Sequence, residues 1–477
     1  MLYVYSFING ADWADEVQQL DRMSKITKQD VVEWANKYLG PESYAIIYKR
    51  EGKDPDEQKI AAPKITPIVT NRDSQSEFLT EIQNSKVEPI EPVFVDYKKD
   101  MSQFEAQPGI DVLYKKNETN DIFTLIYVFN TGTENDPALN LAFNYLSYLG
   151  TDKMTAEEIA SEMYDIACSF YMNAGANQSS IQITGLSENM GKAMEIVEGL
   201  IAGAKPDEAI LENLKGDMLK SRADAKLNQS RCFGALQRYL FYGGDFIRRT
   251  TLTNPALEAM SSEMLLAKIG ELMDKQHKVL YYGPQSEKEV TEALAIHHKT
   301  SAELQPLDKK HLQLLPTDES KVLMAQYDAK QLYYLQYANL GKQFDVAADP
   351  EITLYNEYFG GGMNSVVFQE MREARGLAYS ASAYIMQPNY ADTKYGYIAF
   401  IATQNDKMQM AIEAFDEIIN NMPESETAFK IAKEGLISRL RTDRTVKEQV
   451  LWSFIRLRNL GLEEDLSLIH ISEPTRP

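Results

Sequence analysis

The chain has 477 residues, 44% hydrophobic and 25% charged, with 70 acidic against 49 basic side chains and a formal net charge of −21. This is ordinary globular composition, long enough for two or three domains. It excludes a nucleic-acid binder, which needs a concentrated basic surface, and a membrane-spanning segment, because no window approaches roughly 18 apolar residues. The two cysteines, Cys168 and Cys232, lie far apart in apolar-flanked segments and read as buried thiols, not as a disulfide framework or metal site.

Met1 to Phe7 is apolar, lacks a basic start and is too short for a secretory leader, so it reads as a buried strand or helix entered in the middle. Thr27 with Asp30 three residues on predicts a capping box and a helix to Tyr38. The run Tyr44 to Tyr48 predicts a strand. Residues 1–52 therefore read as the C-terminal part of a domain whose front is absent. Residues 53–103, rich in Pro, Asp, Glu, Lys and Gln, read as an interdomain linker.

Residues 104–295 carry a fuller plan. Ile122 to Phe129 predicts a strand, followed by a helix ending at Tyr145, Tyr148, Leu149 and Gly150. Ser180 to Thr184 predicts another strand. The stripe Met190, Ala193, Met194, Val197, Leu200 and Ile201 predicts a helix opened by Ser187. Met260-Ser261 introduces a helix to Met273, and Lys278 to Tyr282 predicts a strand. His277 reads as a cation at a helix end, and His297-His298 as part of a solvated connector, 296–319.

Residues 320–466 repeat this order. Leu332 to Ala338 is the strand, and Tyr355, Tyr358, Phe359 and Gly360 end the helix. Ile398 to Ala402 is the second strand. Met408, Ala411, Ile412, Phe415, Ile418 and Ile419 then repeat the earlier stripe, opened by Asn405. Matching periodicity with matching starts indicates an internal repeat. A strand–helix–strand plan with long amphipathic helices predicts an α+β, two-layer fold, its helices on one face of a mixed, largely antiparallel sheet. Residues 467–477 break the helical pattern of Val450, Phe454, Leu457 and Leu460 and read as a non-native tail.

No HExxH or HxxEH, no G-x-S-x-G elbow and no phosphate-binding loop occurs. The most unusual polar cluster comes after Gly360-Gly361-Gly362, whose lack of side chains allows close backbone approach before a helix capped by Asn364 or Ser365. It runs from Phe368 to Ser380. Gly376 is expected to end the helix. Arg372 lies in the last turns and Tyr379 just beyond. If the turn folds back, both could aim at one carbonyl oxygen. The alternative is a surface salt-bridge cluster of Arg372 and Arg375 with Glu370 and Glu373.

The stretch Tyr358 to Ser380 resembles the signature of pitrilysin/insulinase-type zinc metallopeptidases in a repeat without catalytic metal. The resemblance implies a chamber of four homologous domains. The first carries HxxEH and a distal Glu, and the last carries an Arg and a Tyr seven residues apart that reach the bound peptide. Arg372 and Tyr379 take those positions here. By the same likeness, 104–295 is a third, inactive domain and 320–466 an incomplete fourth. Asn140 to Thr151, where a zinc helix would lie, has apolar, aromatic and amide residues at the ligand positions.

The expected function is the non-catalytic C-terminal half of a zinc-dependent metalloendopeptidase, enclosing peptides and aiding hydrolysis by positioning and oxyanion stabilisation. The alternative is a structural or substrate-presenting subunit without peptidase activity. Zinc would be bound by the missing N-terminal half or a separate catalytic subunit. This chain is expected to hold none and to be inactive alone. Peptide is the expected substrate, and a periplasmic or exported bacterial location is implied by the resemblance.

Overall fold

The computed structural model describes residues 2–40, 43–49, 52, 76–86, 88, 90–307 and 311–464. Most of the expected linker, 53–75, and the tail 467–477 lie outside the described residues. The chain forms two compact units, Met1–Pro67 and Ile68–Pro477.

In the first unit, α1 (Leu2–Asn9) and α2 (Lys28–Tyr38) stand out. The capping box is present: the Asp30 N–H donates to Thr27 Oγ1 at 3.2 Å, and the Thr27 N–H donates to Asp30 Oδ2 at 2.8 Å. Two expectations fail. The opening segment is helical but exposed, with Phe7 88% accessible. Tyr44 to Tyr48 forms no strand, and Ile47 is 92% accessible. A lone extended segment has no ladder to hold its backbone groups, and no partner strand lies beside it among the described residues.

Among its described residues the second unit contains two sheets. One joins β1 (Ser102–Gln107), β2 (Ile110–Lys116), β3 (Ile122–Phe129), β4 (Cys168–Ala174), β5 (Ser179–Leu186) and β6 (His277–Gly283) in the order β1-β2-β6-β3-β5-β4. The β2–β6 pair is parallel and the others are antiparallel. Alternation along the strands sends Val112, Leu125, Tyr127, Phe129 and Tyr281 to one face. There they pack on α3 (Leu139–Leu146), α4 (Met190–Gly203), α6 (Ser262–Met273) and α7 (Glu287–His297), the helix α5 (Gln229–Thr250) falling between α4 and α6 in sequence.

The other sheet joins β7 (Gln331–Gln343), β8 (Ala378–Met386) and β9 (Lys394–Gln404), all antiparallel, in the order β7-β9-β8. Its core packs Ala399 and Ile401 on Phe359 of α8 (Asp349–Phe359), and on Phe415 and Ile418 of α9 (Met408–Asn420), with α10 (Glu426–Thr442) alongside. The order β3-β5-β4 of the first sheet recurs as β7-β9-β8. Even the helix starts match: neither Ser187 nor Asn405 caps by its side chain, and in each copy a 3-10 turn, Ser187–Asn189 or Asn405–Lys407, leads into the helix.

The two-layer α+β plan is as expected, with one addition. The second face of the six-stranded sheet is also covered, because Leu113, Ile126, Val128 and Leu280 meet Val450, Leu451 and Phe454 of α11 (Gln449–Asn459). Cys168 is buried and Cys232 half-buried.

Candidate functional site

The Gly-rich loop and the segment after it are built by close contact. A Cβ on Gly360 would lie 1.7 Å from the Ala383 carbonyl oxygen, so only glycine lets the end of α8 meet β8. Beside it the Asn356 side chain pairs with the Ile385 backbone, accepting at 2.7 Å and donating at 3.0 Å. Of the two candidate caps, Ser365 performs the task, its Oγ accepting from the Phe368 N–H.

Two local irregularities then bring Arg372 and Tyr379 together. Phe368–Ala374 is a π-helix, which widens the turn by one residue and rotates the residues after it. It closes with Gly376 at φ 55°, and the Leu377 N–H donates to the Met371 carbonyl at 2.9 Å. The β8–β9 register then shifts between Ala378 and Ser380, so Tyr379 sits in a β-bulge. A bulge re-aims the side chain it carries. The Arg372 guanidinium carbon ends 4.4 Å from the Tyr379 ring centre and 4.8 Å from that of Phe368.

Tyr379 is 78% accessible, and its hydroxyl has no hydrogen-bond partner among the described residues. Arg372 also meets Glu373 at 3.4 Å. Arg375 differs: it pairs with Glu417 at 2.8 Å and Glu370 at 3.5 Å, and the Glu417 hydrogen bond raises its pKa. The salt-bridge reading therefore holds in part. Arg375 makes the salt-bridge cluster, while Arg372 stacks on an exposed tyrosine.

Beside Tyr379 opens a groove of about 670 Å³ that the sequence reading missed. Its far wall is the first half of α5. Gly243, at φ 79°, breaks that helix. The Leu315 N–H donates to the Phe241 carbonyl at 2.7 Å, and Gln229 Nε2 donates to the Gln331 carbonyl at 2.6 Å, laying 229–242 along β7. Phe233 thereby reaches Tyr333 and Phe400, with ring centres 5.3 and 5.7 Å apart. The outward-facing aromatics at alternate positions of β7 and β9 were the available signal.

The histidines were misread. His277 and His298 are buried in the six-stranded unit, not solvated, because β6 and the end of α7 converge over α4. The His277 Nδ1–H donates to the Lys275 carbonyl at 2.8 Å, the two Nε2 atoms share a proton at 2.8 Å, and His298 Nδ1 meets Glu198 Oε1 at 2.6 Å. Burial, then the neighbouring His298, lowers the His277 pKa to about 4. Burial likewise pushes the Tyr127 phenol well up. A zinc site does not fit. Zinc needs three or four ligands at about 2.0–2.1 Å from nitrogen, whereas these ring nitrogens are committed to each other and to Glu198. Among the described residues no group of three or more His, Cys, Asp or Glu could hold a metal. In α3 the would-be ligand face is buried Leu139, Ala142, Phe143 and Leu146, with Asn144 bonded to Asn140 at 3.1 Å. Among the described residues no helix is long and apolar enough to cross a membrane.

The structure is a repeated two-layer α+β domain with a cation–aromatic pair in one copy and, among the described residues, no group that could hold a metal. Residues 276–436 match the Peptidase M16 inactive domain. That stretch, about a third of the chain, is where the likeness to the inactive domain of M16 peptidases is carried. It is 24% identical over 261 residues to an uncharacterized zinc protease of Streptomyces coelicolor, covering 52% of this chain and 56% of that protein. In structure it is similar to a peptidase M16 inactive domain from Pseudomonas fluorescens, with TM-score 0.60, 16% identity, and 78% and 94% of the two chains covered. It is also similar to the periplasmic protease PqqL of Escherichia coli, with TM-score 0.61 and 11% identity, covering 95% of this chain and 48% of that one. The chain thus spans about half the length of PqqL and of the Streptomyces relative.

Proposed function

We propose that this chain is the C-terminal, non-catalytic half of a longer zinc metalloendopeptidase, and that its task is to hold an extended peptide through Arg372 and Tyr379. The observation carrying this reading is the exposed stack itself. A π-turn and a bulge, two departures from regular structure, act on the two residues that meet. On this reading residues 1–52 end a second domain, 104–295 form a third and 320–466 a fourth. The zinc chemistry belongs to the half that this chain does not supply, and an exported or periplasmic location suits the likeness to PqqL.

Tyr379 offers one directed O–H and Arg372 a rigid fork of N–H donors with fixed charge. Stacking fixes the ring and guanidinium together, so both donors are oriented before the peptide arrives. Donors aimed at a carbonyl oxygen assist hydrolysis to the extent that negative charge grows there, so Tyr379 gives the larger effect on turnover. Arg372 also fixes the backbone of the bound peptide.

The test is steady-state hydrolysis of a quenched peptide by this chain together with its zinc-bearing half. Tyr379→Phe should lower kcat by about 10²-fold with zinc content unchanged. Arg372→Ala should harm both kcat and KM, whereas Arg375→Ala, whose charge is already balanced by two carboxylates, should change little. Equal, small effects from all three would reduce the cluster to a charged helix end.

A further inference from the structure

We infer that the groove beside Tyr379 is a specificity site that takes an uncharged aromatic or large aliphatic side chain of an extended peptide. The inference rests on the peptide-holding reading and adds which side chain is preferred. Its walls are Phe233 from α5, Tyr333 from β7, Ile398 and Phe400 from β9, and Tyr379 and Tyr384 from β8. None of its described lining residues carries a charge, in a protein whose net charge is −21. The remaining lining is serine, glutamine, leucine and alanine. At about 670 Å³ it has the size of a small-ligand site, more than one bulky side chain requires.

Charge decides the occupant. An Asp or Lys side chain entering this groove would lose water and find no counter-ion among its lining residues, a cost that an aromatic or aliphatic side chain avoids. Position decides that the occupant belongs to a peptide. Tyr379 is shared, lining the groove and carrying the Arg372 guanidinium over its ring. A backbone held at Arg372 and Tyr379 therefore passes the groove mouth, where the next side chain on that face can enter. Gly243 acts at a distance, since its left-handed φ bends α5 and sets Phe233 over the sheet.

The experiment is calorimetric titration of this chain with a set of Gly/Ser-rich decapeptides differing in one central guest residue: Phe, Leu, Ala, Asp or Lys. The wild type should bind the Phe and Leu guests about tenfold more tightly than the Asp and Lys guests. Phe233→Ser should bring all five within about twofold. Ser382→Lys, a polar replacement at a half-buried lining position, should tighten the Asp guest and decides the matter if Phe233→Ser does not fold. Arg372→Ala should weaken every guest by the same factor. Wild-type binding that ignores the guest, or an Asp guest indifferent to Ser382→Lys, would overturn the groove while leaving the peptide-holding reading intact. Absence of binding by all five peptides would remove that reading and the groove with it.

Discussion

The six-stranded and three-stranded regions share the unit β3-β5-β4, repeated as β7-β9-β8, and within that unit they diverge between the first helix and the edge strand. In the six-stranded copy that stretch is a regular α-helix, Ala156–Asp165, capped by Thr155 with Glu158 and buried through Ile159 and Met163. It enters its strand through Ala167 at φ 49°, and the polar groups of this copy, Glu198, His298 and His277, are buried in its core. In the three-stranded copy the same stretch is a π-helix leading into its strand through Gly376 at φ 55° and a bulge, and its chemistry stands in the open. A left-handed residue before the strand is common to both copies. The outcome is changed by one extra residue per turn and one in the strand, which convert a core helix into a platform for Arg372 and Tyr379.

The shared plan breaks most severely at Gly360. A methyl group there meets the Ala383 carbonyl, which is backbone and cannot swing away. Gly360→Ala should cost about 3 kcal/mol or more and release the three-stranded region first. Gly362, with open space around its missing Cβ, is the matched control, and its change to Ala should stay within about 0.5 kcal/mol. Urea unfolding, with hydrogen exchange to localise the loss, measures both. Equal losses at the two glycines would mean that the close approach at Ala383 does not hold the copy together.

Acid should act on the other copy. His277 has a folded pKa of about 4 against about 6.5 when unfolded, so the unfolded chain binds its proton first. Its contribution is fully present above about pH 6.5, falls as pH drops, and is spent below about 4, a total of about 3 kcal/mol. The groups facing it are His298, Glu198 beyond that, and the Tyr127 phenol. A second proton on His277 would set two N–H donors against each other across 2.8 Å. His277→Gln should flatten stability between pH 7 and 4.5 relative to the wild type. Parallel pH profiles for the two proteins would remove His277 as the cause.

Much of this contrast was legible in sequence, and its limits are physical. Periodicity marked β3, β7, α4 and α9 because a buried face must recur at the spacing of its element, whatever it packs against. That Arg372 and Tyr379 meet was legible through Gly376, which turns the chain between them, whereas the role proposed for them came from the family resemblance alone. The buried chain His277–His298–Glu198 was not legible. His277 and His298 are 21 residues apart and Glu198 is a further 100 away, so only the parallel β2–β6 pairing and the fold of α7 over α4 unite them. The groove failed for the same reason, since Phe233 reaches Phe400 across 167 positions by way of the break at Gly243. Tyr44 to Tyr48 erred the other way, since a strand-like pattern specifies only readiness to pair.

The smallest expected effect on stability separates the two uses of a tyrosine most cleanly. In the sealed copy the Tyr145 hydroxyl is part of the architecture: it donates to Ser262 Oγ at 2.7 Å and accepts from the Asp207 N–H at 2.7 Å. Removing it leaves buried groups unpaired, so Tyr145→Phe should cost about 1–3 kcal/mol. The Tyr379 hydroxyl has no partner among the described residues, and the ring alone makes the stack with Arg372. Phenylalanine keeps a face for the guanidinium, and an exposed cation–π contact is worth only about 0.5–1 kcal/mol in any case. Tyr379→Phe should therefore leave stability within about 0.5 kcal/mol of the wild type. Thermal unfolding of the two variants, read beside the hydrolysis assay, makes the comparison. If Tyr379→Phe destabilises as much as Tyr145→Phe, its hydroxyl serves the fold and a fall in turnover says nothing about the peptide. If it is silent in stability while turnover falls, the hydroxyl acts on the bound peptide.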